Sequence, residues 1–302
     1  EPALNLKDIN GQTASVQLQR MVSTGSGKSK VYYFVEEVYR IRYTTDRVYL
    51  LDFDRTMTQI PNVNSDIYGN NTIYLGIVAE DIPLMESEDG NVVVFEVANR
   101  LCSYNITTNK LAVIFSFYNE EHGDARSLHM QHGIRILDVN EGGNVQFAVY
   151  GYMNRGRHEG EVGIQLYSYD SSKNTIEESV YIPYDKTFEI LDNEIKNLLY
   201  WNREGMMYLY LNHTIYAVDT ISQRVNKLAV MENDESVNIS DNHKIATWHE
   251  EDNLKLMNLG LQKQVTINAE EGERLFALGF MEEDLIYGVA RDEDIAMDSS
   301  GR

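Results

Sequence analysis

A single cysteine, Cys102, stands in this chain of 302 residues, so no intrachain disulfide can form. It lies in an apolar, strand-like run and reads as a small buried hydrophobe rather than a nucleophile. One cysteine leaves the compartment open, because exported domains also do without disulfides. Proline is scarce, at 4 residues. No apolar run approaches the roughly 18 residues a membrane helix needs, which argues against direct membrane insertion by this segment. No secretory leader is visible, and the chain begins Glu1-Pro2-Ala3 without an initiator Met. That start, with an unfinished structural pattern at the other end, suggests a processed chain or an excised part of a longer protein. Positive charge is also short: 26 basic against 47 acidic residues leave a formal net charge of -21. Such a field repels phosphate backbones and anionic lipid, so nucleic acid is not an expected partner. Helical periodicity is nearly absent, with one short candidate at residues 186–200.

Strand signals fill the chain instead. Hydrophobic residues make up 43% and charged residues 24%, which suits a folded core. Tyr, at 20 residues, favours strands, where one ring face packs while the hydroxyl stays wet. Short apolar or alternating runs broken by Asn, Asp, Gly and Ser recur, as at 92–97, 145–150, 206–211 and 285–290.

These runs repeat in a larger unit. Residues 101–105 (Leu-Cys-Ser-Tyr-Asn), 166–170 (Leu-Tyr-Ser-Tyr-Asp), 215–219 (Ile-Tyr-Ala-Val-Asp) and 254–258 (Leu-Lys-Leu-Met-Asn) each precede a polar turn and a further apolar run. A fainter copy is 48–52 (Val-Tyr-Leu-Leu-Asp). Each reads as strand, Asx-initiated turn, strand, because an Asp or Asn side chain can accept a backbone N–H two residues on. The Asx positions 52, 105, 170, 219 and 258 are spaced by 53, 65, 49 and 39 residues. Four-stranded propeller blades need roughly 40–50 residues, so the spacing fits with loop insertions. Two more strand candidates precede each of the four clear hairpins: 82–85 and 92–97, 134–139 and 145–150, 195–200 and 206–211, 236–239 and 244–248. A last pair, 274–280 and 284–290, opens a unit without its hairpin.

The chain thus resembles the β-propeller proteins over roughly residues 15–290, on these hairpins alone. It carries neither the Trp-Asp signature of WD40 repeats nor the double glycine of kelch repeats. The blades are most similar to the degenerate repeats of bacterial exported propellers. The expected fold is all-β, a single β-propeller domain over residues 1–302 with four-stranded antiparallel blades. Six blades is the count, or seven if 60–78 and 119–133 hold another. An N-terminal strand at 14–22 would complete the last blade and remove an open sheet edge. Two stacked β-sandwiches, the alternative, would show no such period.

Chemistry-bearing motifs are few. Gly25-Ser26-Gly27-Lys28-Ser29 imitates a phosphate loop, but the required first glycine is Val22, so the run reads as a hairpin tip. The acidic runs 86–91 and 292–294 lack the spacing of a calcium loop and read as solvated turns. His122, His129 and His132 lie in the densest cluster of metal-ligand types, yet in a connecting segment without HExxH spacing; a polar loop is the plainer reading. No G-x-S-x-G elbow occurs.

One connection stands out. Residues 150–163 join two strands of one blade through a run far longer than a tight hairpin needs. It carries Arg155, Arg157 and His158, groups suited to a carboxylate or an anionic sugar. Trp201, at a strand end, is a further candidate for stacking on a sugar ring, with core packing as its alternative. The expectation is a non-catalytic binding or scaffold propeller at the cell surface or secreted, meeting a protein or glycan at one loop face, with no cofactor. A carbohydrate-active propeller hydrolase or lyase is the alternative.

Overall fold

A computed structural model describes residues 3–61, 68–69, 72–73, 82–118, 126–202, 204–231 and 237–291. The fold is an all-β propeller of four-stranded antiparallel blades: five complete four-stranded sheets and an opened sixth occur among the described residues. The chain divides into two compact units, residues 1–188 and 189–302.

The first unit opens with β1 (Ala3–Asn10), β2 (Thr13–Thr24), β3 (Val31–Tyr43) and β4 (Val48–Ile60), paired in chain order. Its strands are unusually long. A charged rung crosses it, where the buried Glu37 carboxylate on β3 accepts from Arg20 on β2 at 2.8 Å and from Arg55 on β4 at 2.7 Å. The Tyr39 hydroxyl donates to its other oxygen at 2.8 Å, and this bond leads the influences that lower the Glu37 pKa. A short pair, β5 (Tyr68–Gly69) and β6 (Thr72–Ile73), follows.

The next blade holds β7 (Leu84–Glu86), β8 (Val92–Val97), β9 (Arg100–Asn105) and β10 (Lys110–Phe115). Its neighbour holds β11 (His132–Val139), β12 (Val145–Tyr152), β13 (Val162–Asp170) and β14 (Thr175–Pro183). One apolar layer joins the two: Val92, Val94 and Phe115 of the first meet Ile134, Phe147 and Tyr167 of the second. The Phe147 and Tyr167 rings stack at 5.2 Å and 15°. β12 is buried along most of its length, whereas the first half of β14 is exposed; inner strands read as apolar and outer ones as mixed. Cys102 is buried, and burial pushes its thiol pKa up to about 12, as a buried hydrophobe rather than a reactive thiol would behave.

All of α1 (Phe188–Asn197) but its first residue belongs to the second unit; its Leu191 and Ile195 are buried while Lys196 pairs with Asp192 at 2.6 Å. β15 (Leu199–Trp201), β16 (Met206–Leu211), β17 (Thr214–Asp219) and β18 (Arg224–Val230) form one blade. β19 (Asn238–Ile239), β20 (Ile245–Glu250), β21 (Asn253–Asn258) and β22 (Lys263–Ile267) form the next. Tyr208 and Ile215 of the first pack with Ala246, Trp248 and Met257 of the second. β23 (Glu273–Met281) and β24 (Asp284–Arg291) make the two-stranded opening of a sixth blade.

Two turns repeat around the blades. In the outer hairpin, the Asx side chain accepts backbone N–H groups: Asn105 from Thr108, Asp170 from Ser172, Asp219 from Ile221 and Asn258 from Leu261, at 2.8–3.0 Å. Four residues after each Asx stands a left-handed residue: Asn109, Asn174, Gln223 and Gln262, with φ between 50° and 57°. The second turn, before the second strand, was not legible beforehand. Ser87, Asn140, Asn202 and Ser240 start it, and their side-chain oxygens accept from Val92, Asn144, Met206 and Ile245. The left-handed position, three residues on, is Gly90, Gly143, Gly205 or His243. The residue after each Asx ties the two turns together by its own N–H. Ile106, Thr220 and Leu259 donate to the carbonyls of Asn91, Gly205 and Lys244, and Ser171 donates to the Asn144 side chain.

Three expectations fail. Residues 48–52 do not end in a hairpin: Asp52 sits inside the 13-residue β4, and its carboxylate accepts only from the adjacent Phe53 N–H. Position 56, where the other copies place Asn or Gln in the left-handed region, is Thr, whose branched Cβ disfavours it. The N-terminal strand at 14–22 does not complete the last blade, because β2 is paired on both sides, by β1 and β3. Residues 195–200 are not one strand: α1 runs to Asn197, and only Leu199–Trp201 pair with β16. The acidic run 86–91 is a turn as expected, with Asp89 accepting from the Ser87 hydroxyl at 2.6 Å; 292–294 lies outside the described residues. Gly25 to Ser29 forms the tip between β2 and β3, with Gly25 and Gly27 at positive φ, not a phosphate loop.

Candidate binding face

The long connection between β12 and β13 is built, not loose. Met153 N–H donates to the Glu161 carbonyl and Gly160 N–H to the Met153 carbonyl, both at 2.9 Å, which closes the loop on itself. Met153 and Asn154 are buried at its base. The segment before β11 braces it. Asn154 Nδ2 donates to the His129 carbonyl at 2.7 Å, Arg155 Nε to Ser127 Oγ at 2.9 Å, and Arg126 to Glu159 at 2.6 Å. Tyr152 N–H donates to the Gln131 carbonyl at 2.6 Å. Loops held by a rigid sheet in this way commonly carry recognition.

This brings Arg155, Arg157 and His158 together. The His158 ring lies flat on Tyr181 of β14, with centroids 3.6 Å apart and planes within 10°, and its Nδ1 faces Glu161 at 3.1 Å. Burial raises the Tyr181 pKa. Arg157 is exposed at the tip and makes no hydrogen bond or ion pair with any described residue. A free guanidinium offers five N–H donors in a fork matched to a carboxylate. Trp201 stands elsewhere, half-buried in β15 of the second unit, opposite Met207. Its Nε1 is buried without an acceptor.

The histidines separate. His122 lies outside the described residues. His129 sets its ring edge-on to Tyr152 at 4.9 Å, and burial lowers its pKa. His132 is buried edge-on to Phe117 at 4.8 Å, and burial pulls its pKa down to about 4, so it is neutral at pH 7. No group of three or more His, Cys, Asp or Glu among the described residues is arranged to hold a metal ion. No helix among them is long and apolar enough to cross a membrane.

No protein-family profile matches the chain, and no curated protein matches it. Solved structures do. Porphyromonas gingivalis dipeptidyl peptidase 4 superimposes with a TM-score of 0.42 at 11% identity, covering 95% of this chain and 44% of that one. A Mycobacterium tuberculosis puromycin-hydrolyzing peptidase gives 0.39 at 7% identity, covering 95% and 50%. The chain therefore spans half or less of either peptidase's length.

A second feature of the first unit escaped the sequence. A narrow, partly open cleft of ≈ 10 Å³ lies beside the brace. Arg100, Tyr118, Ser127 and His132 line it. The Arg100 guanidinium lies over the Tyr118 ring, 5.0 Å from its centroid, and burial lowers its pKa. The one available signal was a charge inside the apolar run 92–102, where Arg100 follows the two-residue turn of Ala98 and Asn99. In the second unit, Asp241, Glu282, Glu283 and Asp284 rim an open acidic recess. There Asn242 donates to Glu283 at 2.7 Å and Lys244 pairs with it at 3.5 Å, which reads as a contact between two turns.

Proposed function

We propose that this chain is a non-catalytic binding propeller that recognises a carboxylate-bearing polymer, an acidic peptide segment or a uronate-containing glycan, at the face made by the 153–161 loop. The observation that carries the reading is the free Arg157 guanidinium. It projects from a loop fixed by three hydrogen bonds to the 126–131 brace, with a fourth from Tyr152 at the end of β12, beside the His158–Tyr181 stack. A fixed loop loses little order on binding, and a bidentate guanidinium–carboxylate pair supplies direction. In a chain of net charge -21, a cationic tip also selects against basic partners there. The proposed setting is extracytoplasmic, in keeping with the resemblance to exported propellers; fractionation of the tagged full-length gene product tests it.

Immobilised polygalacturonate, poly-glutamate, neutral dextran and poly-lysine serve as probes in biolayer interferometry. One of the two polycarboxylates binds, dextran does not, and Arg157→Glu weakens binding at least tenfold, about 1.4 kcal/mol. Absence of binding to both polycarboxylates, or equal binding by the variant, overturns the proposal.

A further inference from the structure

We propose that the cleft between Arg100 and His132 is a second binding site, which takes a single carboxylate group. This stands apart from the loop-face reading: either can fail while the other holds.

Arg100 is the unusual residue. Its side chain is partly withdrawn from water, yet no described residue gives it a carboxylate or a hydrogen-bond acceptor. Its partner is the Tyr118 ring, and a ring face leaves the N–H donors of the guanidinium edge unused. A cation withdrawn from water and left unpaired is costly, and natural sites keep such a group where an anion arrives to meet it.

The surroundings select the kind of anion. His132 is 3% exposed, and the one group its ring approaches for a hydrogen bond is the His129 backbone, short of full hydrogen-bond geometry. Being neutral, it lines the cleft without adding charge. The Ser127 hydroxyl lines the same cleft, where it accepts from Arg155. Asn99, at the turn before Arg100, donates through Nδ2 to the His132 carbonyl at 2.8 Å and so fixes the two walls against each other. One cation among neutral groups suits a singly charged, planar group with a forked edge better than a doubly charged tetrahedral one. The space admits a head group only, so the rest of the ligand stays outside. Carboxylates of that kind come from a peptide C-terminus or from a uronate.

The test uses the whole chain with N-acetylglycine as a C-terminus mimic, methyl galacturonoside as a uronate, and inorganic phosphate. N-acetylglycinamide and methyl galactoside are the neutral controls. Isothermal titration and the imidazole NMR signals of His132 are the readouts. One carboxylate binds, its neutral counterpart at least tenfold more weakly, and the His132 pKa moves up from about 4 when the anion sits beside it. Which carboxylate binds tells the two sources apart. Arg100→Met removes binding and melts no lower than the parent, because it deletes an unpaired cation. Arg100→Lys, which keeps the charge but loses the fork, binds severalfold more weakly and stands in should the Met variant not fold. Binding unchanged in the variants, an unmoved His132 signal, or tighter binding of phosphate than of either carboxylate each overturns the assignment.

Discussion

Glu37 shows how much a single side chain can govern in a sheet of long strands. It sits between Arg20 and Arg55 and accepts the Tyr39 hydroxyl, so its charged form is favoured and its pKa lies below the ordinary 4.5. A carboxyl with a depressed folded pKa stabilises the fold above its unfolded value and loses that contribution as pH falls through the folded one. Glu37→Gln should therefore melt below the parent at pH 7. The gap should close as pH drops below about 4.5, read as melting temperature against pH from 7 to 3. A constant gap would show that shape, not charge, is what the two arginines require. Residues of this type were invisible in the sequence, because 17 and 18 positions separate the partners. Arg100 and His132 are hidden for the same reason: they come from neighbouring blades, and only the fold makes them neighbours.

At the level of elements, legibility follows the turns. The Asx residues at 105, 170, 219 and 258 announce hairpins because a short polar side chain both caps the strand end and tolerates the bend. Asp52 carries the same local string and fails, since Phe53 and Thr56 continue a strand. The Ser or Asn turn before the second strand was missed because its four starts share only a side-chain oxygen, and its left-handed position is filled by Gly three times and His once. The left-handed Gln262 gives a direct check. An L-residue there is strained, so Gln262→Gly should stabilise by about 0.5 kcal/mol, the relief of strain being partly offset by a freer unfolded chain. Urea denaturation measures it, and a loss of stability would mean that the Gln side chain has a role of its own.

Both units show the same packing rule: the face of one sheet covers the next, seen in Phe115 against Phe147 in the first and in Tyr208 with Trp248 in the second. Repeat architectures hold themselves together through such nearest-neighbour layers, which is why the period could be read without any long-range information. Phe147, fully buried and stacked on Tyr167, lies at the centre of the layer between two blades. Phe147→Ala should cost about 3–5 kcal/mol, with the amides of β12 and β13 the first to exchange with deuterium. A cost under 1 kcal/mol would mean the layer can collapse around the loss.

The backbone tie between the two turns of each blade has its own consequence. The donor is a main-chain N–H, so the tie itself does not depend on the side chain, and Ile106, Ser171, Thr220 and Leu259, which supply it, are four unlike residues. Ile106, exposed to solvent, is therefore a position whose identity can be rewritten while its anchorage stays put, whereas the Ser171 and Thr220 hydroxyls add bonds to the turn and Leu259 is buried in the core. Position 106 is a natural place to graft a new contact, by selection or by design, without disturbing the scaffold beneath.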